Sequence, residues 1–294
     1  MFSAYDDSIL KQVCADVIRY PRYRELQSLM AECYGQSTIA TEPRCMSIEG
    51  VSGVGKTLLV RDYVANSPPL VDENGVCRQV LYLTVPAPAS REGTIYAMLR
   101  KLGGWTESRE KSREASSRLI KYLSASAIGQ VIMDDFHHYV SITRDRDRAE
   151  VAEWLLQVVD EARVCLVVVG LEGEVQPILD MNPQISRLFS SRETLKPFVW
   201  DESDERHRQE LSDFVLRVFT LLGISLPSNT RTEDLIRRIY YATGGVAAHV
   251  VNLLRYASQL GREMGESTLT ASRLSQAFKA RLNHVSLKAN PFEV

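Results

Sequence analysis

The sequence predicts an α/β fold, a phosphate-binding core on a parallel five-stranded sheet followed by a small helical lid. Three observations carry that expectation. Gly50-Val51-Ser52-Gly53-Val54-Gly55-Lys56-Thr57 matches GxxxxGK[ST] at every fixed position, between an apolar run and a helical pattern. Up to Trp200, short apolar runs alternate with helical stripes, the order of strands joined by crossover helices. Beyond Trp200 only helical periodicity remains.

Taken in order, residues 1–42 read as an N-terminal helical arm: Ile9, Val13 and Val17 recur at four-residue spacing, Pro21 interrupts, and Leu26, Leu29 and Met30 resume. The core spans 43–200. Cys45–Ile48 is its first strand and Thr57–Val64 the helix after the loop. Val80–Val85 is the next strand, ended by Pro86-Ala87-Pro88, and Ile95, Met98, Leu99 and Leu102 mark a helix closed by Gly103-Gly104. Leu119, Ile120 and Leu123 mark another helix. Val131–Asp134 and the continuous run Val164–Gly170 are buried strands, and Leu195–Trp200 is a weaker edge strand. The lid, 201–282, shows apolar stripes at Leu211/Phe214/Val215/Val218/Phe219/Leu222, Leu235/Ile236/Ile239, Val250/Leu253/Leu254/Ala257 and Leu274/Ala277/Phe278. Residues 283–294 form a C-terminal tail, read as disordered or as a docking segment for a partner.

Composition bounds the function. At 294 residues and 45% hydrophobic, the chain can bury a sizeable core. No run approaches the ~18 apolar residues of a membrane span, and Met1–Asp7 lacks the basic and apolar regions of a secretory signal. The expectation is a cytoplasmic protein with no membrane partner. Cys14, Cys33, Cys45, Cys77 and Cys165 show no CxxC spacing, which points to buried free thiols instead of disulfides or zinc. Net charge is −2, so nucleic-acid binding needs a local basic surface. Arg91 to Lys121 provides one, with eight basic against four acidic side chains. Trp200 to Phe214 is the reverse, with six acidic against two basic.

The loop implies ATP with Mg²⁺. Backbone amides of Gly50, Val51, Ser52, Gly53, Val54 and Gly55 would face the phosphates, glycines letting the backbone approach without a Cβ in the way. The Lys56 ammonium would reach the β and γ phosphates, the Thr57 hydroxyl would ligate the metal, and Leu58 lies in the first helical turn. Mg²⁺ also needs an acidic group at the end of a neighbouring buried strand. Asp134 supplies it, holding the metal through water, and Asp135 is the candidate base that orients an attacking water. An aspartate reaches about 1.5 Å less than the glutamate common at that second position, and misplacement of that size can cost about a hundredfold in rate, so hydrolysis should be slow. His137 and His138 lack a matching ligand cluster and read as packing or polar contacts near the nucleotide.

Further stretches carry a resemblance: Met46-Ser47-Ile48-Glu49-Gly50, Val85-Pro86-Ala87-Pro88, Asp134-Asp135-Phe136-His137-His138, Val167-Val168-Val169-Gly170, Ile185-Ser186-Arg187-Leu188-Phe189 and Ala242-Thr243-Gly244-Gly245. With these the chain resembles AAA+ ATPases and, more narrowly, the TniB/TnsC family of transposition regulators, over roughly residues 40–280. The resemblance implies an ATPase that forms a homo-oligomeric ring or helical filament on double-stranded DNA, in a sequence-independent way, and recruits a transposase alongside a target-selection protein. It places DNA contacts between the second and third strands, where Arg91, Thr94, Lys101 and Lys111 are the candidates for touching phosphates. It makes Arg187 the candidate finger reaching a neighbouring subunit's γ-phosphate. Three positions depart from the family pattern. Leu171 stands where a polar sensor is common, Ala247-Ala248-His249 offers no lid arginine, and Asp135 replaces Glu. They bear on turnover more than on binding. The alternatives are a nucleotide-switch scaffold that senses a partner protein and a helicase-loader-like ATPase. A loader would favour single strands, for which the basic region offers only Tyr96 and Trp105 as stacking platforms.

Overall fold

The computed structural model describes residues 17–39, 42–67, 70–71, 77–104, 112–141, 145–282 and 289–293. The chain divides into two compact units: Arg22–Ser52 with Lys56–Leu195, and Lys196–Val294 with Gly53–Gly55 and the described residues before Arg22. The boundary therefore falls a few residues before the one expected at 200. No described helix is long and apolar enough to cross a membrane.

The larger unit is built on strands β1 (Met46–Gly50), β2 (Leu70–Val71), β3 (Cys77–Thr84), β4 (Ile128–Asp134), β5 (Cys165–Leu171) and β6 (Ser191–Thr194), in the order β2-β3-β4-β5-β1-β6. Five of them form the expected parallel sheet, and β2 adds a two-residue antiparallel pairing at the β3 edge. Every residue of β1 and β4 is buried, the polar Ser47, Glu49, Gln130 and Asp134 included, as expected of strands covered on both faces. Helices α1 (Pro21–Ile39), α2 (Lys56–Asn66), α3 (Arg91–Lys101), α4 (Ser112–Ala125), α5 (Asp145–Ala162), α6 (Gln176–Leu179) and α7 (Pro183–Leu188) complete the unit. Free Cys33, Cys45 and Cys165 are buried in it, and burial pushes the Cys45 thiol up to about 12.

Three elements differ from expectation. Pro21 opens α1 instead of interrupting it, because proline fits the first helical turn, where its missing N–H would have no partner. The helix belongs to the core unit: Tyr23, Leu26 and Met30 are buried, and Gln27 donates to Leu59 O and Asp62 Oδ2 at 3.1 and 2.9 Å. Ile9 and Val13 lie outside the described residues. The edge strand is Ser191–Thr194, not Leu195–Trp200. Its ladder runs on only to Leu195, whose N–H donates to Glu49 O at 2.8 Å, and Pro197 brings no N–H to extend it. The eighteen-residue α5, which buries Val151, Trp154, Leu155, Val158 and Val159, has no counterpart in the sequence reading.

The smaller unit contains α8 (Glu205–Leu222), α9 (Thr232–Thr243), α10 (Ala247–Glu263) and α11 (Ala271–Arg281). All four expected apolar stripes are buried. Asp204 caps α8 by accepting from Arg206 N at 2.9 Å, and Gly223 ends it in the left-handed region at φ 61°. The tail differs from expectation where it is described: Phe292 is 3% exposed within the lid core, and Asn290 Nδ2 donates to Ser275 Oγ at 2.8 Å.

Gly245 is the tightest point of this unit. Its φ is +71°, a Cβ there would stand 2.0 Å from Phe198 O, and its own carbonyl accepts from Phe198 N at 2.9 Å. Gly223 shares a positive φ but opens onto empty space. Gly245→Ala should therefore cost about 2 kcal/mol or more in urea unfolding, whereas Gly223→Ala should cost about 1 kcal/mol. Equal losses would mean that close approach to Phe198 contributes nothing.

Candidate nucleotide site

The parallel strands end at one sheet edge, where ligands of open α/β sheets bind. From Gly50 at the end of β1 the chain turns through the loop and enters α2 at Lys56. Gly53 and Gly55 have φ of +82° and +106°, which side-chain-bearing residues rarely adopt. Lys56 Nζ donates to Gly50 O at 2.7 Å and to Val51 O at 3.0 Å. Burial lowers its pKa, and Asp134, Asp135 and Glu172 act in the opposite sense. Three carboxylates thus favour the charged form of the ammonium that a triphosphate would claim.

Asp134 is 1% exposed at the end of β4, opposite Thr84 of β3. Its Oδ2 accepts from the Tyr82 hydroxyl at 2.9 Å and its Oδ1 from Asp135 N at 2.9 Å. Asp135 takes φ +56° and leads into the 3-10 turn Phe136–Ser141, anchored by fully buried Phe136 and Tyr139. A carboxyl side chain tolerates that left-handed conformation better than most. His138 Nδ1 lies 3.0 Å from Val85 O, tying the turn to the end of β3. The His137 ring packs 4.7 Å from that of His138, and burial followed by His138 lowers its pKa. A Cβ at Gly170 would meet Val175 Cγ2 at 2.5 Å and His137 N at 3.1 Å, so glycine permits β5 to pass this turn. Leu171 pairs in register with Gly50 and brings no polar group to the loop.

The residues fit a magnesium nucleotide. The loop glycines hold the backbone in the conformation that an anion cradle needs, Lys56 is bonded to two carbonyls that a phosphate could replace, and Asp134 is a hard oxygen donor. An ion held there would take an oxygen from Thr57 and, through water, Asp134, and would be completed by phosphate oxygens and water.

Arg187 and the basic region belong to the same unit. Asn182 caps α7 by accepting from Gln184 N and Ile185 N, so the segment before Arg187 is fixed and not a free loop. The Arg187 side chain is 68% exposed and pairs with Glu42 at 3.2 Å. Arg91 opens α3 and donates to Ser112 Oγ at 3.1 Å; Lys101 closes the same helix, exposed. Thr94 is corrected: it is fully buried, its hydroxyl donating to Ser90 O at 3.0 Å and pairing with the Tyr139 hydroxyl at 2.5 Å, so it cannot meet a phosphate. Lys111 lies outside the described residues.

The profile of the bacterial TniB protein family matches residues 9–198. The chain belongs to the TniB family. No curated protein sequence matches it significantly. Among solved structures it is similar to Cdc6p from Pyrobaculum aerophilum, at 15% identity and TM-score 0.66 over 90% of this chain and 69% of that one. It is also similar to the ORC1 protein of Aeropyrum pernix in complex with DNA, at 18% identity and TM-score 0.65 over 92% and 68%. The RuvB branch-migration motor of Thermotoga maritima follows at 11% identity and TM-score 0.51 over 88% and 68%. The fold of this TniB-family chain is therefore that of P-loop AAA+ ATPases.

Three site residues escaped the sequence reading. Glu49, on buried β1, accepts from Val175 N and Gln176 N at 2.8 and 3.3 Å and so staples β1 to the segment after β5. An acidic residue in the short strand that leads into the loop was the available signal. Tyr82 and Arg61 carried none, because an aromatic in a strand and an arginine on a helix face are ordinary.

Lys56→Ala should weaken ATP binding about 10- to 100-fold in calorimetry, the value of one to two charge-assisted hydrogen bonds. Undiminished affinity would show that the loop is not the phosphate cradle.

Proposed function

We propose that this TniB-family chain is an ATP-dependent DNA-binding transposition regulator, which oligomerises on double-stranded target DNA and recruits a transposase. The observation that carries the reading is the juxtaposition of a loop lysine bonded to two backbone carbonyls with a buried, hydrogen-bonded carboxylate at one sheet edge. ATP binds through Gly50–Leu58 with Mg²⁺ between Thr57 and Asp134. Arg187 is the trans finger: its pairing with Glu42 is an exposed ion pair worth about 0–1 kcal/mol, which a neighbour's γ-phosphate readily replaces. Arg91 and Lys101, with Lys111, contact DNA phosphates without reading bases. The ORC1 structure containing DNA shows a protein of this fold engaged with nucleic acid. The protein acts in the cytoplasm beside a transposase and a target-selection protein.

Asp135 sets the pace. Its carboxyl stands one carbon nearer the backbone than glutamate's, so the attacking water is poorly placed and hydrolysis is slow. Asp135 and apolar Leu171 also favour a second reading, a nucleotide switch that senses a partner protein without using DNA.

Electron microscopy with plasmid DNA and a non-hydrolysable ATP analogue should show rings or filaments, absent for Lys56→Ala. Monomers alone would remove the proposal, and a duplex affinity that does not fall with rising salt would favour the switch. Asp135→Glu should raise ATP turnover, by up to about a hundredfold if reach alone is limiting. Unchanged turnover would mean that the aspartate's reach is not what slows the enzyme.

A further inference from the structure

Tyr82 has more partners than nucleotide chemistry asks of it. Tyr82 and Thr84 lie on one face of β3, because alternate residues of a strand point the same way. The phenol donates to Asp134 Oδ2 at 2.9 Å, lies 3.2 Å from Thr84 Oγ1, and accepts from Arg61 Nε at 3.1 Å. The Arg61 guanidinium carbon stands 5.6 Å from the ring centroid and the Lys101 ammonium 5.8 Å, both within cation–π range. Both cations are exposed, one on α2 and one at the end of α3. Two cations from different helices therefore converge on the ring whose hydroxyl holds the carboxylate assigned to the metal.

The direction of coupling follows from the hydrogen-bond chain. Burial raises the Tyr82 pKa, while the Thr84 and Arg61 hydrogen bonds lower it. The phenol keeps its proton, which goes to Asp134. Donation by Arg61 to the phenolic oxygen polarises the hydroxyl and strengthens its bond to Oδ2. If Arg61 turns to an anion, the phenol becomes a weaker donor and Oδ2 is freer to accept from metal-bound water. A phosphodiester is the anion that fits, since Arg61 can hold it in a forked pair and Lys101 adds a point charge.

We propose that Arg61 and Lys101 receive a phosphodiester of bound duplex DNA, and that Tyr82 acts as a positioning residue that relays this occupancy to Asp134 and tightens Mg²⁺–ATP binding. The proposal rests on the reading of Asp134 as a metal residue in a DNA-bound ATPase and adds to it a route between the two ligands. By reciprocity, Mg²⁺–ATP tightens duplex binding by the same factor.

The test is calorimetric titration of ATP into the full chain at a series of free Mg²⁺ concentrations, with and without duplex DNA. In the unaltered protein, duplex should lower the half-saturating Mg²⁺ about fivefold, the low end of ordinary coupling between sites. Tyr82→Phe keeps the ring and both cation contacts but removes the hydroxyl; whatever its own affinity for Mg²⁺–ATP, duplex should no longer shift its Mg²⁺ curve. Arg61→Gln, altered only at an exposed side chain, should lose the shift as well and guards against misfolding of the Tyr82 variant. Inorganic phosphate at matched phosphate concentration and ionic strength should leave the curve in place; a shift equal to that with duplex overturns the duplex assignment. If ATP and duplex both bind and the Mg²⁺ curve does not move, or moves equally in both variants, the relay is wrong and the ATPase reading stands. If neither ligand binds, the functional reading falls and the relay with it.

Discussion

Burying a carboxylate costs several kcal/mol unless its oxygens meet donors, and Asp134, at 1% exposure, is the group that imposes this demand on its surroundings. Each oxygen is answered from a different direction, Oδ2 by a side chain on the adjacent strand and Oδ1 by the next backbone N–H. The second answer fixes the backbone of Asp135, which must turn immediately and does so at φ +56°. A left-handed residue carries about 1–2 kcal/mol of strain, and buried Phe136 and Tyr139, packed 5.1 Å apart, hold the turn against it. The direction in which the Asp135 side chain leaves the sheet is thus a consequence of how Asp134 is buried. Tyr139 in turn takes the Thr94 hydroxyl, so the same requirement reaches α3.

Much of this was legible in the sequence, for identifiable reasons. Strands buried on both faces must be apolar without interruption, so β4 and β5 announce themselves. The loop is legible because its glycines, lysine and threonine answer to a ligand whose geometry does not vary. The polar segment Ser191-Arg192-Glu193-Thr194 forms a strand all the same. Pairing with β1 supplies its ladder, Arg22 holds Glu193 at 2.8 Å, and nothing in its composition reports either partner. Thr94 was misplaced for the opposite reason. A hydroxyl in a basic stretch suggests a surface, yet Thr94, Ile95, Met98 and Leu99 form one helical stripe, and the periodicity carries the threonine inward with the rest.

The smaller unit was legible at the level of stripes and not at the level of joints. Four amphipathic helices follow from spacing alone, because each must bury one face. That Gly245 presses on Phe198, 47 positions away, or that Phe292 joins the same core, depends on tertiary contacts that local spacing does not report. A Gly-Gly pair reads locally as a helix end, which Gly244 is; the second glycine is there for space, and only the fold reveals that need.

Binding and turnover place different demands on such a site, and this chain meets them unequally. Binding needs amides, an ammonium and a hard oxygen, groups that act over several ångströms of electrostatic reach and tolerate small displacements. Hydrolysis needs a water within hydrogen-bond distance of a base and in line with the γ-phosphate, where displacement of about an ångström already costs orders of magnitude. On the proposed reading, the groups for binding are present in full, whereas the position assigned to the base carries the short side chain of Asp135 and the position assigned to the sensor is aliphatic, Leu171 in register with Gly50. Under the proposed function, bound ATP then acts mainly as a joint between protomers, with a lifetime set by Asp135. A target selector benefits from that imbalance, because an assembly that outlasts the search for a transposase is of more use than one that turns over quickly.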